Sequence, residues 1–194
     1  MNSSYRINNY GEVFYSIIRA YKPVRLVELG VLHGYSTVHL ALALKKNHQQ
    51  LGVLGHLYSY DLFEEYPFNH GQLEEVLDEL KGQELESYVT LQKRDAFTVH
   101  TSYEDNSVEL LHVDLSNTAD TIRKIMATWD SKMVTGGSII FEGGTEERDN
   151  VEWIKKYNKE PLKPEIDNNQ IIKDKYVYAT YLKFPGLTHL LKKR

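Results

Sequence analysis

The chain has 194 residues, 41% of them hydrophobic and none of them cysteine, and its formal net charge is −4. This length and apolar content predict one domain with one sizeable core, and the acidic balance argues against a nucleic-acid partner. The missing cysteines exclude disulfides and thiolate metal sites. The N-terminus lacks an apolar signal region and no run of eighteen apolar residues occurs, so we expect a cytoplasmic protein with no membrane partner.

Strand-like and helix-like runs alternate along the chain, which predicts an α/β fold with a Rossmann-like, doubly wound and mostly parallel sheet. The first element is an amphipathic helix around Tyr10 to Tyr21, and the N-terminal helix is predicted to span about 8–21. Strands are predicted near 24–29, 57–62, 88–93, 108–114, 136–142 and 176–184. Helices are predicted near 36–47, 71–86, 117–130 and 150–157, with a short helical turn near 96–103. The stretch 158–169 contains two prolines and is predicted to be a loop.

The most informative stretch is residues 27–37, with the sequence VELGVLHGYST. It joins an apolar strand to a helix with an apolar face through two glycines. Gly30 permits a sharp turn and lets a ligand approach bare backbone, and Gly34 lets the helix start close to the sheet. Ser36 or Thr37 is predicted to cap that helix. The stretch is therefore interpreted as a nucleotide-binding turn.

The spacing of the glycines excludes two common uses of such a turn. A P-loop needs Lys and then Ser or Thr after its second glycine, whereas Gly34 is followed by Tyr35 and Ser36. A dinucleotide-binding fingerprint needs a middle glycine, and Leu32 occupies that position. The stretch therefore contains no recognisable polyphosphate-binding motif. Glu28, at the end of the strand, suits a ligand that presents an amine or hydroxyls to an acid.

This turn resembles the first motif of the class I S-adenosylmethionine-dependent methyltransferases, and the form E-L-G-V-L-H-G-Y-S-T is similar to their small O-methyltransferase-like branch. The resemblance covers about residues 24–142. It implies a single methyltransferase-like domain over 1–194, with S-adenosyl-L-methionine as cofactor. It also implies that Glu28, Gly30, Gly34 and Ser36 bind that cofactor.

An acid stands at or just beyond each predicted strand end, at the edge of the sheet where ligands bind in such folds. The resemblance assigns three of these acids. Asp61, followed by Leu62, matches the acid that binds the ribose hydroxyls, since a carboxylate offers the acceptors that a vicinal diol needs. Asp95, followed by Ala96, matches the acid that meets the adenine amine. Asp114 matches the acid near the methionine moiety and the transferring methyl. Each could instead be a loop acid or a helix cap.

The chain departs from this branch where a divalent metal would bind. The branch commonly has D-G-D-H after the fourth strand and paired acids after the fifth, whereas this chain has D-L-S-N at 114–117 and E-G-G at 142–144. Asp114, Asn117 and Glu142 would supply only three of the oxygen ligands that a hard cation needs. We therefore expect no catalytic metal, and we expect Glu142 to turn to solvent or to cap the following segment.

For methyl transfer the protein must align the acceptor and, where the acceptor is a hydroxyl, remove its proton. Asp114 and His33 are the predicted catalytic residues. Glu142 and His112 are further candidate bases, although the position of His112 inside an apolar strand favours a core histidine. Residues 64–70 and 143–169 are candidate acceptor-facing loops.

The sequence thus favours an S-adenosylmethionine-dependent methyltransferase acting on oxygen of a small-molecule acceptor, and it leaves homo-oligomerisation open. One alternative is a module that binds the cofactor without catalysis, which the missing D-G-D-H pattern keeps open. A weaker alternative is a nicotinamide-dependent reductase, which Leu32 and the lack of a Tyr-x-x-x-Lys pair disfavour. The sequence does not identify the acceptor.

Overall fold

The computed structural model describes residues 3–194, and the chain divides into two compact units, one ending at Val99 and the other formed by His100–Arg194. The first unit is built from alternating helices and strands. Its α-helices are α1 (Tyr10–Tyr21), α2 (Tyr35–Leu51) and α3 (Leu73–Gly82). Its strands are β1 (Arg25–Leu29), β2 (His56–Asp61) and β3 (Val89–Lys93). β2 pairs in parallel with both β1 and β3.

Apolar patterning explains the first two elements. On α1 the residues Phe14, Ile17 and Ile18 recur at helical spacing and are buried. The helix ends at Tyr21, and the next residue, Lys22, has a left-handed φ of 53°. β1 is buried at every position after Arg25, which is typical of a parallel strand covered on both faces. The predicted helix and strand are confirmed.

The second unit contains the remaining elements. Its strands are β4 (Val108–Val113), β5 (Met133–Glu142), β6 (Tyr176–Tyr181) and β7 (Leu187–Lys192). Its α-helices are α4 (Ala119–Trp129), α5 (Glu146–Asp149), α6 (Glu152–Lys156), α7 (Leu162–Asn168) and α8 (Gln170–Lys175). β4 and β5 are parallel, whereas β7 runs antiparallel to both β5 and β6.

The strand order over the chain is β3-β2-β1-β4-β5-β7-β6 in one seven-stranded mixed sheet. This order and the helical connections between parallel strands confirm the predicted fold class, a single-domain Rossmann-like α/β fold. The predicted limits of the methyltransferase-like domain, 1–194, stay a prediction. No helix within residues 3–194 is long and apolar enough to cross a membrane.

Near the C-terminus one prediction is wrong, and another is confirmed with a shorter extent. The stretch 158–169 is not a loop, because α7 begins directly after Pro161 and has Pro164 in its first turn. Proline is tolerated there, since the first N–H groups of a helix have no partner within it. The predicted strand 176–184 ends at Tyr181, and β7, which follows it, was not predicted.

Candidate functional site

The turn after β1 is shaped by left-handed backbone. Gly30, Leu32 and Gly34 have φ values of 87°, 52° and 76°, a region that glycine enters without a steric penalty and leucine does not. The Gly30 amide donates to the Tyr60 carbonyl at 2.9 Å, and the Gly34 amide donates to the Val31 carbonyl at 2.9 Å. The turn is thus closed by backbone hydrogen bonds, and glycine stands at two of its three left-handed positions.

Gly34 is the N-cap of α2, and no side chain caps this helix. The prediction that Ser36 or Thr37 caps it is therefore wrong. Glycine is required by packing as well as by φ, since an added Cβ would lie 2.8 Å from Val76 Cγ1. The helix starts close to α3 because this position carries no side chain.

The Glu28 carboxylate is fully buried and accepts three hydrogen bonds from protein hydroxyls. Ser36 Oγ donates to Oε1 at 2.6 Å, and Thr37 Oγ1 and Ser59 Oγ donate to Oε2 at 2.7 Å each. These bonds supply the polar partners that a buried carboxylate requires, and they tie β1, β2 and α2 together. The cofactor-binding roles of Glu28 and Ser36 stay predictions.

Asp61, the last residue of β2, holds the turn through its side chain. Its Oδ2 accepts from the amides of Val31 and Leu32 at 2.6 and 3.0 Å, and its Oδ1 accepts from the Phe63 amide at 2.7 Å. A carboxylate oxygen has two lone pairs. Among the described contacts, Oδ2 is therefore saturated and Oδ1 retains capacity for one further donor. Sequence reasoning identified this acid and missed its role in fixing the turn.

Residues 64–71 form a segment that is anchored at both ends. At one end the Glu64 carboxylate accepts from the Leu73 amide at 2.7 Å and pairs with Lys93 Nζ at 2.6 Å. The hydrogen bond from Lys93 is the main reason why the pKa of Glu64 falls to about 2. At the other end Gly71 lies so close to the turn that an added Cβ would overlap the Leu32 carbonyl oxygen. The segment is therefore fixed beside the turn.

Aromatic side chains are exposed on this segment. Tyr66 and Phe68 contact each other edge to face with ring centroids 5.4 Å apart, and Phe68 is 72% exposed. His33, in the turn, is half-buried. This arrangement is consistent with the prediction that 64–70 is a loop available to an acceptor, which stays a prediction.

The turn after β3 carries Asp95 and Ala96. Asp95 is exposed and its Oδ1 accepts from the Phe97 amide at 2.9 Å, whereas Ala96 is buried. This is a short turn in which the acid bonds to the backbone two residues later. The carboxylate is thus oriented and still reachable from solvent.

In the second unit the ends of β4 and β5 lie side by side. Val113 pairs with Phe141 in parallel register, so Asp114 and Glu142 follow at the same level on neighbouring strands. His112 is fully buried, which agrees with a core histidine. The expectation that Glu142 turns to solvent is wrong, and a role of Glu142 in capping the following segment stays a prediction. Its side chain is 3% exposed and pairs with Arg148, whose Nη2 lies 2.7 Å from Glu142 Oε1.

Arg148 is a site residue that sequence reasoning missed. Its Nε donates to Glu142 Oε1 at 2.8 Å, and Asn117 Nδ2 donates to the same oxygen at 2.9 Å. The guanidinium carbon lies 5.8 Å from the Trp153 ring centroid and 5.9 Å from that of Phe184, which are cation–π distances. Only the aromatic residues that follow Arg148 hint at this environment in the sequence.

A family model described as a methyltransferase domain matches residues 27–142, which is more than half of the chain. The chain belongs to this methyltransferase family. The match confirms the predicted class I S-adenosylmethionine-dependent methyltransferase, both as an enzyme class and in its cofactor. It does not favour the nicotinamide-dependent reductase. No curated protein matches the sequence.

Solved methyltransferases share the fold. One from Geobacter sulfurreducens is 15% identical with a TM-score of 0.65, over 96% of this chain and 79% of that chain. The O-methyltransferase TomG from Streptomyces achromogenes, solved in complex with SAM, is 13% identical with a TM-score of 0.69, over 96% and 80%. An SAH-bound methyltransferase from Podospora anserina is 15% identical with a TM-score of 0.68, over 100% and 80%.

The candidate metal ligands of this methyltransferase do not fit a divalent cation. Asn117 presents its amide nitrogen, a donor, to Glu142, and a guanidinium pairs with the same carboxylate oxygen. Hard cations need several oxygen ligands that point to one centre. Within residues 3–194 no group of three or more His, Cys, Asp or Glu side chains is arranged to hold a metal ion. Independence of a divalent metal stays a prediction.

Proposed function

We propose that this methyltransferase transfers the methyl group of S-adenosylmethionine to an oxygen of a small-molecule acceptor. The observation that carries the proposal is the turn after β1. It bends through left-handed backbone at Gly30 and Gly34, it is held by Asp61, and it lacks the elements of a polyphosphate-binding motif. Such a turn suits a nucleoside that binds the protein through hydrogen bonds from its hydroxyl groups and an amine.

The cofactor-binding residues are proposed one by one. Gly30 and Gly34 let the cofactor approach the backbone, while Glu28 and Ser36 hold the strand and the helix on either side. Asp61 accepts one ribose hydroxyl at Oδ1, because its other acceptor positions already bind the turn. A charge-assisted hydrogen bond of this kind contributes about 1.5–3 kcal/mol.

The adenine is proposed to lie at the turns after β2 and β3. Leu62, which follows Asp61, supplies apolar contact. The Asp95 carboxylate accepts from the adenine amine, since its orientation is fixed by the Phe97 amide, and Ala96 contributes only a small apolar side chain beside it.

Asp114 and His33 are proposed to act on the acceptor. When bound, the cofactor supplies an activated methyl group, which the acceptor oxygen takes as the carbon–sulfur bond breaks and S-adenosylhomocysteine is left. Asp114, at the end of β4, orients the methionine moiety and accepts the proton of the acceptor hydroxyl. His33, which is half-buried in the turn, offers a second base.

Methylation of oxygen is supported by the form of the first motif and by the named activity of TomG, an O-methyltransferase of similar fold. A small-molecule acceptor is supported by the net charge of −4, which disfavours a polyanionic nucleic acid. Homo-oligomerisation is left open.

The test is incubation with S-adenosylmethionine that carries a ¹³C-labelled methyl and with a pool of hydroxylated metabolites. The carbon chemical shift of the product reports the atom that was methylated. We expect an O-methyl product that is lost in Asp114→Asn and retained in Asp78→Asn, a matched change at an exposed position of α3. Cofactor binding without any methylated product would favour the non-catalytic module, and an N-methyl or S-methyl product would contradict the proposal.

A further inference from the structure

Arg148 is held in one orientation by its surroundings. Its Nε and Nη2 both contact Glu142 Oε1, and its side chain is 13% exposed. The rings of Trp153 and Phe184 lie within 6 Å of the guanidinium carbon, at 5.8 and 5.9 Å. An arginine fixed in this way loses little conformational freedom when it binds a further group.

Glu142 occupies only one edge of the guanidinium. Nε and Nη2 face Glu142, whereas Nη1 has no partner among the described residues, and the second N–H of Nη2 lies on the same edge as Nη1. Trp129 Nε1 is the single fully buried side-chain polar atom found without a partner in residues 3–194. Since Nη1 of Arg148 lacks a partner but is not among such fully buried atoms, it retains some contact with solvent. Two parallel N–H groups on one edge match the two oxygens of a carboxylate.

We propose that the Nη1–Nη2 edge of Arg148 binds a carboxylate of the methyl acceptor. The inference rests on the proposed function, since it names the substrate class that the same site accepts. Glu142 ends β5 at the level of Asp114, and the carboxyl ends of parallel strands are where ligands bind in this fold. A carboxylate on Arg148 would thus tether the acceptor within the unit that carries the proposed base.

The nearby backbone leaves room for this arrangement. Gly143 has a φ of 102°, and a Cβ at this position would lie 2.8 Å from Leu162 Cδ2 and 3.5 Å from Arg148 Cγ. The absence of a side chain lets the arginine stem pass close to the end of β5. The flanking rings of Trp153 and Phe184 favour an acceptor whose carboxylate is attached to a flat, conjugated group.

The acids around Arg148 do not replace the incoming carboxylate. Glu146 and Glu147 are exposed, so solvent and salt screen their charges. Asp149 accepts from the amides of Leu162 and Lys163 at 2.9 and 2.8 Å. Glu142 is the one acid seen to pair with Arg148 in the described chain. It contacts the Nε–Nη2 edge of the guanidinium rather than the Nη1–Nη2 edge.

The test compares carboxylates with their matched neutral amides. Probes are 3,4-dihydroxybenzoate, 4-hydroxybenzoate and the corresponding benzamides, titrated by calorimetry with and without S-adenosylhomocysteine. Trp153 fluorescence gives a second readout, which Trp153→Phe removes. We expect the carboxylates to bind wild-type protein at least about tenfold more tightly than the amides, the scale of charge-assisted hydrogen bonds. Equal binding of the matched pairs, or no binding of either carboxylate, would overturn the proposal.

Variants then assign the preference to Arg148. Arg148→Gln should abolish the preference for carboxylates, whereas Arg123→Gln, a surface arginine of the same unit with its own acidic partners, should keep it. Because Arg148→Gln leaves a buried carboxylate with fewer partners, Arg148→Gln with Glu142→Gln provides a neutral pair for the same test. A preference that survives these changes would overturn the proposal. Failure of S-adenosylhomocysteine to bind would instead contradict the proposed function, because the probes are also titrated without it.

Discussion

Asp61 holds the turn through its side chain and is proposed to bind the cofactor, so replacing it with alanine is expected to lower both stability and cofactor affinity. The change removes an acceptor from three backbone amides, those of Val31, Leu32 and Phe63. Val31 and Phe63 are buried residues, so their N–H groups are harder to hydrate after this change than the N–H group of the half-buried Leu32.

The size of each effect follows from these contacts. The loss of this partner by the amides of Val31 and Phe63, at about 1–2 kcal/mol each, lowers the free energy of unfolding by about 2–4 kcal/mol. A domain of ordinary stability, about 5–15 kcal/mol, stays folded after such a loss. The lost ribose hydrogen bond weakens cofactor binding by at least about 1.5 kcal/mol, or roughly tenfold.

Urea denaturation followed by circular dichroism measures the first effect, and calorimetric titration with S-adenosylhomocysteine measures the second. Asp61→Asn keeps one acceptor oxygen and should lie between wild type and Asp61→Ala. Asp95→Ala is the control for stability, because that exposed acid accepts one amide hydrogen bond and should change the free energy of unfolding by less than about 1 kcal/mol. Unchanged stability and unchanged affinity in Asp61→Ala would show that Asp61 is only a loop acid.

Three further outcomes are expected. Gly71→Ala should lower the free energy of unfolding by about 1–3 kcal/mol because its Cβ would overlap the Leu32 carbonyl; Gly82→Ala, which meets open space at the end of α3, should not lower it, and equal effects of the two would contradict this packing. The depressed pKa of Glu64, about 2 against an ordinary 4.5, means that its stabilising contribution is present above pH 4.5 and lost as the pH falls toward 2; a carboxyl NMR titration should give a midpoint near 2, moved toward 4.5 in Lys93→Met, and a wild-type midpoint near 4.5 would refute it. Cofactor binding and methyl transfer should survive exhaustive EDTA treatment, and activity lost with EDTA and restored by Mg²⁺ would show a metal-dependent enzyme.

Local sequence patterns correctly predicted the elements that pack against other regular secondary structure. The helical spacing of apolar residues on α1 and the apolar run of β1 each point to one structure. The glycines at 30 and 34 indicated the turn because few residues other than glycine adopt a left-handed backbone conformation without strain. Proline was misread at 161 and 164, since the same residue ends one segment and starts a helix in the next.

The side-chain network of the site was not predictable in the same way. Two of the amides bound by Asp61, those of Val31 and Leu32, lie about thirty positions earlier in the chain, so no local pattern links them to this acid. The pairing of Arg148 with Glu142 depends on the path of the backbone through Gly143 and Gly144, where φ is 102° and 95°. Sequence reasoning counted oxygen ligands after β5 and had no means of placing a guanidinium among them.

The central claim is that the turn after β1 binds the nucleoside of S-adenosylmethionine and does not bind a polyphosphate. Calorimetric titration of the wild-type protein with S-adenosylmethionine, S-adenosylhomocysteine, NAD and ATP tests it most directly. We predict saturable binding of the first two ligands and no binding of NAD or ATP at the same concentrations. Micromolar binding of NAD with no response to S-adenosylhomocysteine would contradict the account.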